Sequence, residues 1–288
     1  MHAIINLNKP FDMTSRQAVT KVQRLLGAKK AGHAGTLDPQ ATGVLLVCLN
    51  ESTKVSRFLM NMDKQYKAKI KLGERTDTHD AWGRVTEKKD SSFLSETQLF
   101  DAVQKFKGAI RQKPPMYSAV KIGGNKLYKL ARKGIEIERP DRPVHIYDIR
   151  ITSVDLPCFE IMVSCSKGTY VRSLCDDIGM ELGTGAHMTA LERTAVGFFH
   201  IKNSLSLDAL AADAEHFYTI DQALEKLPEI VLDDSDYQKA KNGGKILSMS
   251  FNPYNGEFVR MKDPEGKLFA IGSVESNIIR IERILNLV

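Results

Sequence analysis

The stretch GHAGTLDPQATG (Gly32–Gly43) sets a single carboxylate, Asp38, in a loop of small, turn-forming residues between two apolar segments. Pro39 follows it directly, fixing its own φ and offering no backbone donor. The glycines let backbone approach closely on either side. Such a loop can hold one carboxylate at the edge of a cleft, as a nucleophilic or general-base aspartate requires. Asp and Pro are also the residues of ordinary turns, so the loop taken alone reads as structure. A second stretch, KGTYVR (Lys167–Arg172), changes that balance. A charged carboxylate in a dry cleft calls for an opposite charge within ~4–6 Å, and Arg172 is the candidate. It lies at the start of an expected helix, where the macrodipole disfavours a cation, so its position argues for function over local structure.

Outward from the loop, Ser15–Leu26 reads as a helix with Ser15 as N-cap and Gly27 at C′, its apolar residues Val19, Val22, Leu25 and Leu26 recurring at helical spacing. Val44–Leu49 is a continuous apolar run, expected as a strand buried on both faces. A short helix is expected over Ser52–Met62. Gln65–Leu72 alternates, with Tyr66, Ala68, Ile70 and Leu72 on one face and Lys67, Lys69 and Lys71 on the other, as in a half-buried strand. Gly73–Gly83 reads as a polar loop and Leu94–Phe106 as a helix. Val144–Val154 and Phe159–Ser166 read as paired strands, Thr169–Leu182 as a helix, Met188–Phe199 as a strand and Leu205–Leu227 as largely helical. Asp233–Val288 has short apolar stretches around Ile246–Phe251, Glu257–Met261, Leu268–Ile271 and Ile278–Ile284, separated by Gly and Asn, and reads as a small all-β module.

The net charge of the 288 residues is +6. Residues 111–143 carry nine Lys/Arg against three acids, an excess equal to that of the whole chain. The segment is punctuated by Pro114-Pro115, Gly123-Gly124, Pro140 and Pro143, with a short helix near Leu127–Lys133. It is too basic and too Pro/Gly-rich for core, and reads as an inserted lobe suited to phosphate contacts. No run of about 18 apolar residues is present, so no membrane span is expected. The N-terminal segment has no basic region followed by an apolar one, so a secretory leader is not expected and cytoplasmic residence is. Cys48, Cys158, Cys165 and Cys175 form no CxxC pair and read as buried free thiols. Phosphate-cradling GxxxxGK[ST] and post-strand GxGxxG signatures are missing, as is HExxH, so no nucleotide cofactor or metal is expected. An acid, an arginine and aromatics without a cofactor suit a redox-neutral rearrangement or a hydrolysis.

Tyr66 is open to two readings, a core tyrosine with a satisfied hydroxyl or a ring packed against a planar base. Tyr170 has the same ambiguity. His33 lacks nearby His or Cys partners for a metal and reads either as an ordinary loop histidine or as one that stacks on or donates to RNA. Lys9-Pro10 fits a plain turn after a strand over Ala3–Leu7.

The chain resembles the bacterial TruB-type tRNA pseudouridine synthases. The stretches that carry the resemblance are LNKP (Leu7–Pro10), AGHAGTLDPQATGVLLV (Ala31–Val47), YKAKIKLGERTDTHDAWG (Tyr66–Gly83), PPMYSAVKIGGNKLYKLAR (Pro114–Arg132), KGTYVRSLCDDIG (Lys167–Gly179) and MTALERTAVGFF (Met188–Phe199). It implies an α+β fold: a mixed, largely antiparallel sheet flanked by helices, then a small β-rich PUA-like RNA-binding module. The expected division is a catalytic domain over 1–230, with the RNA-binding insertion at about 113–143, and the module over 231–288. The implied reaction is isomerisation of uridine 55 in the tRNA T loop to pseudouridine by a base-flipping enzyme without cofactor, metal or obligate protein partner, expected as a monomer. Asp38 matches the essential aspartate, Arg172 its paired arginine, and Tyr66 the tyrosine that stacks on the target base. Tyr170 and Leu191 match pocket positions, and His33 matches the histidine that meets the disrupted T loop. Lys9 falls in the LNKP match, and Lys126, Lys129 and Arg132 in the basic lobe that closes over tRNA. Two alternatives accompany this reading: a tRNA-folding chaperone, which can coexist with catalysis, and a synthase of the same fold directed to other RNA by a guide.

Overall fold

A computed structural model describes residues 1–118, 120–211, 216–247 and 256–287. In chain order the first half contains β1 (Ile4–Lys9), α1 (Ser15–Leu25), β2 (Ala31–His33), β3 (Thr42–Leu49), α2 (Ser56–Met60), β4 (Lys64–Leu72), β5 (Glu74–Thr76), β6 (Val85–Lys88), α3 (Glu96–Gln104) and β7 (Gly108–Gln112). Then come β8 (Lys121–Ile122), β9 (Asn125–Lys126), α4 (Leu127–Ala131), β10 (Arg142–Asp155), β11 (Cys158–Cys165), α5 (Val171–Glu181), β12 (Ala186–Val196) and β13 (Phe199–His200). The last part holds α6 (Ile220–Ala223), β14 (Glu229–Val231), α7 (Asp234–Lys241), β15 (Ile246–Leu247), β16 (Phe258–Lys262), β17 (Leu268–Glu275) and β18 (Ile278–Ile284).

The main sheet runs β1-β3-β12-β4-β11-β10-β7, with β2 beside β3 and β13 beside β12. Its pairings are antiparallel except for a short parallel contact between β3 and β12, at Glu192 with Thr42 and Arg193 with Gly43. The apolar run of β3 is buried on both faces as its composition requires. Leu45, Val47 and Leu49 enter a core with α1 and α5, while Val44, Leu46 and Cys48 pack with Phe58, Phe199, Ile271 and Leu285. The second core therefore joins the main sheet to a second, five-stranded sheet ordered β14-β16-β17-β18-β15. β4 alternates in burial as its sequence does, with Tyr66, Ala68, Ile70 and Leu72 inward. The basic segment sits between two paired strands, β7 and β10, in register at Arg142 and Gln112. An insertion there leaves the sheet undisturbed. The mixed, largely antiparallel sheet with flanking helices and a β-rich C-terminal part agrees with the expected fold class.

Several local expectations are corrected. The N-cap of α1 is Thr14, which forms a capping box with Gln17, and Ser15 lies inside the helix with its hydroxyl committed elsewhere. Residues 205–227 are not largely helical: the described part is mostly extended or turn, with one turn at Ala209–Ala211 and the short α6. The cause is β1, whose outer edge needs partners. Asn8 N–H donates to the Leu205 carbonyl, and Ile4 and Tyr218 exchange both backbone hydrogen bonds. The C-terminal part is not all β, because α7 occupies Asp234–Lys241. Its helical signals are at the ends: the Asp233 cap, Asp234 and Asp236 in the first turn, Lys239 and Lys241 in the last. Its apolar stripe is reduced to Tyr237 and Ala240. Of the stretch Ile246–Phe251, Ile246–Leu247 forms β15, while 248–251 lie outside the described residues. Gly73–Gly83 is more than a polar loop, since it contains β5 and a buried carboxylate, Asp80. All four cysteines are free, Cys158 being only half-buried. Among the described residues no helix is long and apolar enough to cross a membrane.

Candidate active site

The Asp38 loop joins β2 to β3 and is fixed by its backbone. Leu37 N–H donates to the Ser15 hydroxyl, which donates back to the Leu37 carbonyl, both at 2.8 Å. The Ala41 N–H closes the turn on the Asp38 carbonyl at 3.0 Å. Two buried cations hold the flanks. On one side Arg193 of β12, 1% exposed, donates to the carbonyls of Val44 at 2.7 Å, Gly35 at 3.2 Å and Thr36 at 3.4 Å. On the other, the fully buried Lys9 at the end of β1 donates to Met13 at 2.7 Å, Pro10 at 2.8 Å and Pro39 at 3.2 Å. Lys9 is therefore not in a plain turn: its ammonium is a backbone clamp. Charge-assisted hydrogen bonds to carbonyls are what make such buried cations tolerable. Gly43 closes the loop at φ +99°, and a β-carbon there would meet the Arg193 carbonyl oxygen at 2.3 Å. Only glycine fits.

Burial pushes the Lys9 ammonium down from 10.5 to about 8, with Asp38 opposing the shift and Arg193 adding to it. Between pH 8 and 10.5 the unfolded chain still holds a proton that the folded chain has released, so this group adds stability as pH rises through that window. The urea midpoint of the wild type should thus climb relative to that of Lys9→Met over this range. A constant difference would contradict the shift.

Arg172 lies in the first turn of α5, its side chain 7% exposed. Nη2 is 3.3 Å from an Asp38 carboxylate oxygen and donates to the Tyr117 carbonyl at 2.6 Å. Nη1 donates to Asp80 at 3.4 Å. Two carboxylates thus share one guanidinium. Asp80 is 5% exposed, while Asp38 is 33% exposed and so open to the cleft. Asp80 is itself positioned by the Thr78 hydroxyl at 2.7 Å and the Trp82 N–H at 3.1 Å. Beside it, Arg75 makes a two-pronged contact with the buried Asp176 of α5 at 2.8 and 2.9 Å. This contact ties β5 to the helix that carries Arg172. The arrangement presents one aimed carboxylate backed by a fixed cation, the equipment for attack on, or proton removal from, a bound substrate.

Tyr66 of β4 stands opposite Arg193 of β12 and Val163 of β11. It belongs to the main core, yet its hydroxyl lies in the electrostatic field of Arg193 and Asp38. Burial pushes its pKa up, against the pull of Arg193, so the phenol keeps its proton. His33, half-buried on β2, is pushed down by burial and by Arg193 and is neutral near pH 7. Its Nδ1 is buried without a hydrogen-bond partner among the described residues. The Tyr170 backbone is gripped by Gln112, whose Oε1 accepts at 3.0 Å and whose Nε2 donates at 3.2 Å. Leu191 is half-buried against the main core. Lys129 and Arg132 are exposed on and after α4, the Arg132 guanidinium lying 5.6 Å from the Tyr128 ring centre. The Lys126 side chain lies outside the described residues. No three His, Cys, Asp or Glu among the described residues are grouped to hold a metal ion.

Asp80, Arg193 and Ser15 were not legible as site residues from the sequence. Arg193 carried a usable signal, since a charged residue alternating with Leu191 and Ala195 in an apolar strand must be buried and paired. Asp80 offered only its place in a polar run.

Over its length the fold matches the crystal structure of a Cbf5-Nop10-Gar1 complex, with a TM-score of 0.77 and 26% identity, covering 98% of this chain and 84% of that one. A protein named tRNA pseudouridine synthase B from Clostridium tetani is 48% identical over 85% of this chain and 86% of its own length. A protein of the same name from Clostridium acetobutylicum is 41% identical over 99% and 100%. The fold and these likenesses define an isomerase of the pseudouridylate-synthase class. Residues 23–171 match the TruB family pseudouridylate synthase N-terminal domain and residues 172–233 the tRNA pseudouridylate synthase B C-terminal domain. The chain belongs to the TruB family.

Proposed function

We propose that this enzyme converts uridine 55 of the tRNA T loop to pseudouridine, with Asp38 as the catalytic carboxylate. The observation that carries the reading is the Asp38 carboxylate, open to the cleft and 3.3 Å from the buried Arg172 guanidinium. The tRNA substrate follows from the names of the full-length relatives. In the reaction the N1–C1′ bond breaks, the uracil turns, C5 bonds to C1′, and the proton lost from C5 is balanced by one gained at N1. Reaching C1′ and both faces of the ring requires the nucleotide to leave its stack, at a cost of a few kcal/mol. Tyr66 stacks on the target base, Tyr170 and Leu191 line its pocket, and His33 meets the displaced loop. Residues 1–230 form the catalytic domain, and 231–288 a PUA-like RNA-binding module. The basic segment 113–143 supplies phosphate contacts that offset the flipping cost. The chain acts as a cytoplasmic monomer.

The test uses a T-stem-loop transcript tritiated at C5 of its uridines. Purified protein alone should release tritium to water, and replacing uridine 55 by cytidine should stop release. Release that persists in the cytidine transcript, or absence of release from the uridine one, overturns the assignment. The lobe has its own measurement. Lys129→Ala and Arg132→Ala should each flatten the slope of log affinity against log salt by roughly 0.7–0.9. An unchanged slope means these side chains do not meet phosphate.

A further inference from the structure

Phe11 and Trp82 are 59% and 55% exposed, yet they pair edge-to-face with ring centres 6.2 Å apart and planes at 90°. Single exposed apolar residues need no explanation. Two large aromatic rings set side by side in water, from positions 71 residues apart, do. Each is tied to the Asp38 site by its own chain path. Phe11 is two residues beyond Lys9, whose ammonium clamps the carbonyl of Pro39, the residue after Asp38. Trp82 donates its backbone N–H to one oxygen of Asp80, whose other oxygen accepts from Arg172. Each ring is thus two residues along the chain from a side chain that holds the Asp38 site, Lys9 for Phe11 and Asp80 for Trp82.

We propose that Phe11 and Trp82 form a stacking platform for an unpaired nucleobase of the substrate RNA, beside the nucleotide that enters the Asp38 pocket. This rests on the function proposed above. An edge-to-face pair leaves each ring with at least one face not covered by the other, and a planar base fits such a face whatever its identity. The charges that flank the rings in the chain are mixed, Asp12 adjoining Phe11, and Arg84 following Trp82 with its backbone N–H donating to Asp77, so the platform is not built as a phosphate site. What it suits is the uncharged face of a base released when the loop is opened. Its contribution is therefore insensitive to salt, in contrast to that of the basic lobe.

Trp82 is the chain's only tryptophan, so its emission reports on the platform directly. Asp38→Asn protein, which binds without turnover, is titrated with the T-stem-loop transcript. Trp82 emission should be quenched with the same midpoint as binding measured by filter retention. Phe11→Leu and Trp82→Leu, made in the otherwise unaltered protein, should each raise KM about 5- to 150-fold, the span that base–aromatic stacking supports. They should leave kcat unchanged, as loss of uniform binding does, and leave the salt slope unchanged. Binding without quenching, an unchanged KM in both variants, or a loss confined to kcat overturns the platform while the synthase assignment stands. An emission shift that follows protein concentration without RNA assigns the rings to self-association and also overturns it. Failure of the unaltered protein to bind or modify the transcript removes the assignment and the platform together.

Discussion

Asp38→Asn lowers the single-turnover rate by at least about a thousandfold, within the range expected when a positioned acid–base or nucleophilic group is lost, and leaves the fold intact. The second half of this expectation comes from how the loop is held. Arg193, Lys9 and Ser15 grip it through the backbone of Gly35, Thr36, Leu37, Pro39 and Val44, and none of these bonds uses the Asp38 carboxylate. The substitution preserves shape, and Arg172 retains Asp80 and the Tyr117 carbonyl. Tritium release under single-turnover conditions and the urea midpoint check the two halves separately. A rate within tenfold of the wild type would dismiss Asp38 as the reacting group.

Arg172→Met has the largest expected effect on the fold. Asp80 is 5% exposed, and the guanidinium is its ion-pair partner. Removing one member of a buried pair leaves an uncompensated charge, at a cost of about 3–5 kcal/mol. The urea midpoint should fall accordingly, and adding Asp80→Asn should recover much of the loss, because the stranded charge then disappears. Arg172→Lys separates geometry from charge. One ammonium cannot reproduce a planar fork that meets Asp38, Asp80 and the Tyr117 carbonyl together, so turnover should fall about a hundredfold or more with a smaller loss of stability. Equal midpoints for Arg172→Met with and without Asp80→Asn would show that the two residues are not energetically coupled.

Where one segment's own pattern decides the outcome, the sequence was sufficient. The apolar run of β3, the alternation of β4, the pairing of β10 with β11 and the placing of the insertion could all be read locally. So could the meeting of Asp38 and Arg172, because two distinct motifs named them. What local pattern could not supply was the answer to needs arising elsewhere. Residues around Leu205 and Tyr218 are extended because β1 has an open edge, which nothing in their own sequence announces. Ser15 looked like a cap because Ser caps helices, and only the neighbouring loop reveals that its hydroxyl belongs to Leu37. Lys9 read as part of a plain turn, and only the folded chain shows backbone carbonyls gathered around its ammonium.

The long spans bridged by the loop clamps bear on how the enzyme comes into being. Arg193 reaches Val44 across 149 positions, and Arg172 reaches Asp80 across 92. Such distant closures form late, once the intervening chain has been ordered. During synthesis Asp38 emerges after Lys9 and Ser15 but well before Arg172 and Arg193. A nascent chain that has not yet delivered β12 lacks the Arg193 clamp on the Asp38 loop, so its acid is not yet aimed even though the basic segment has already emerged.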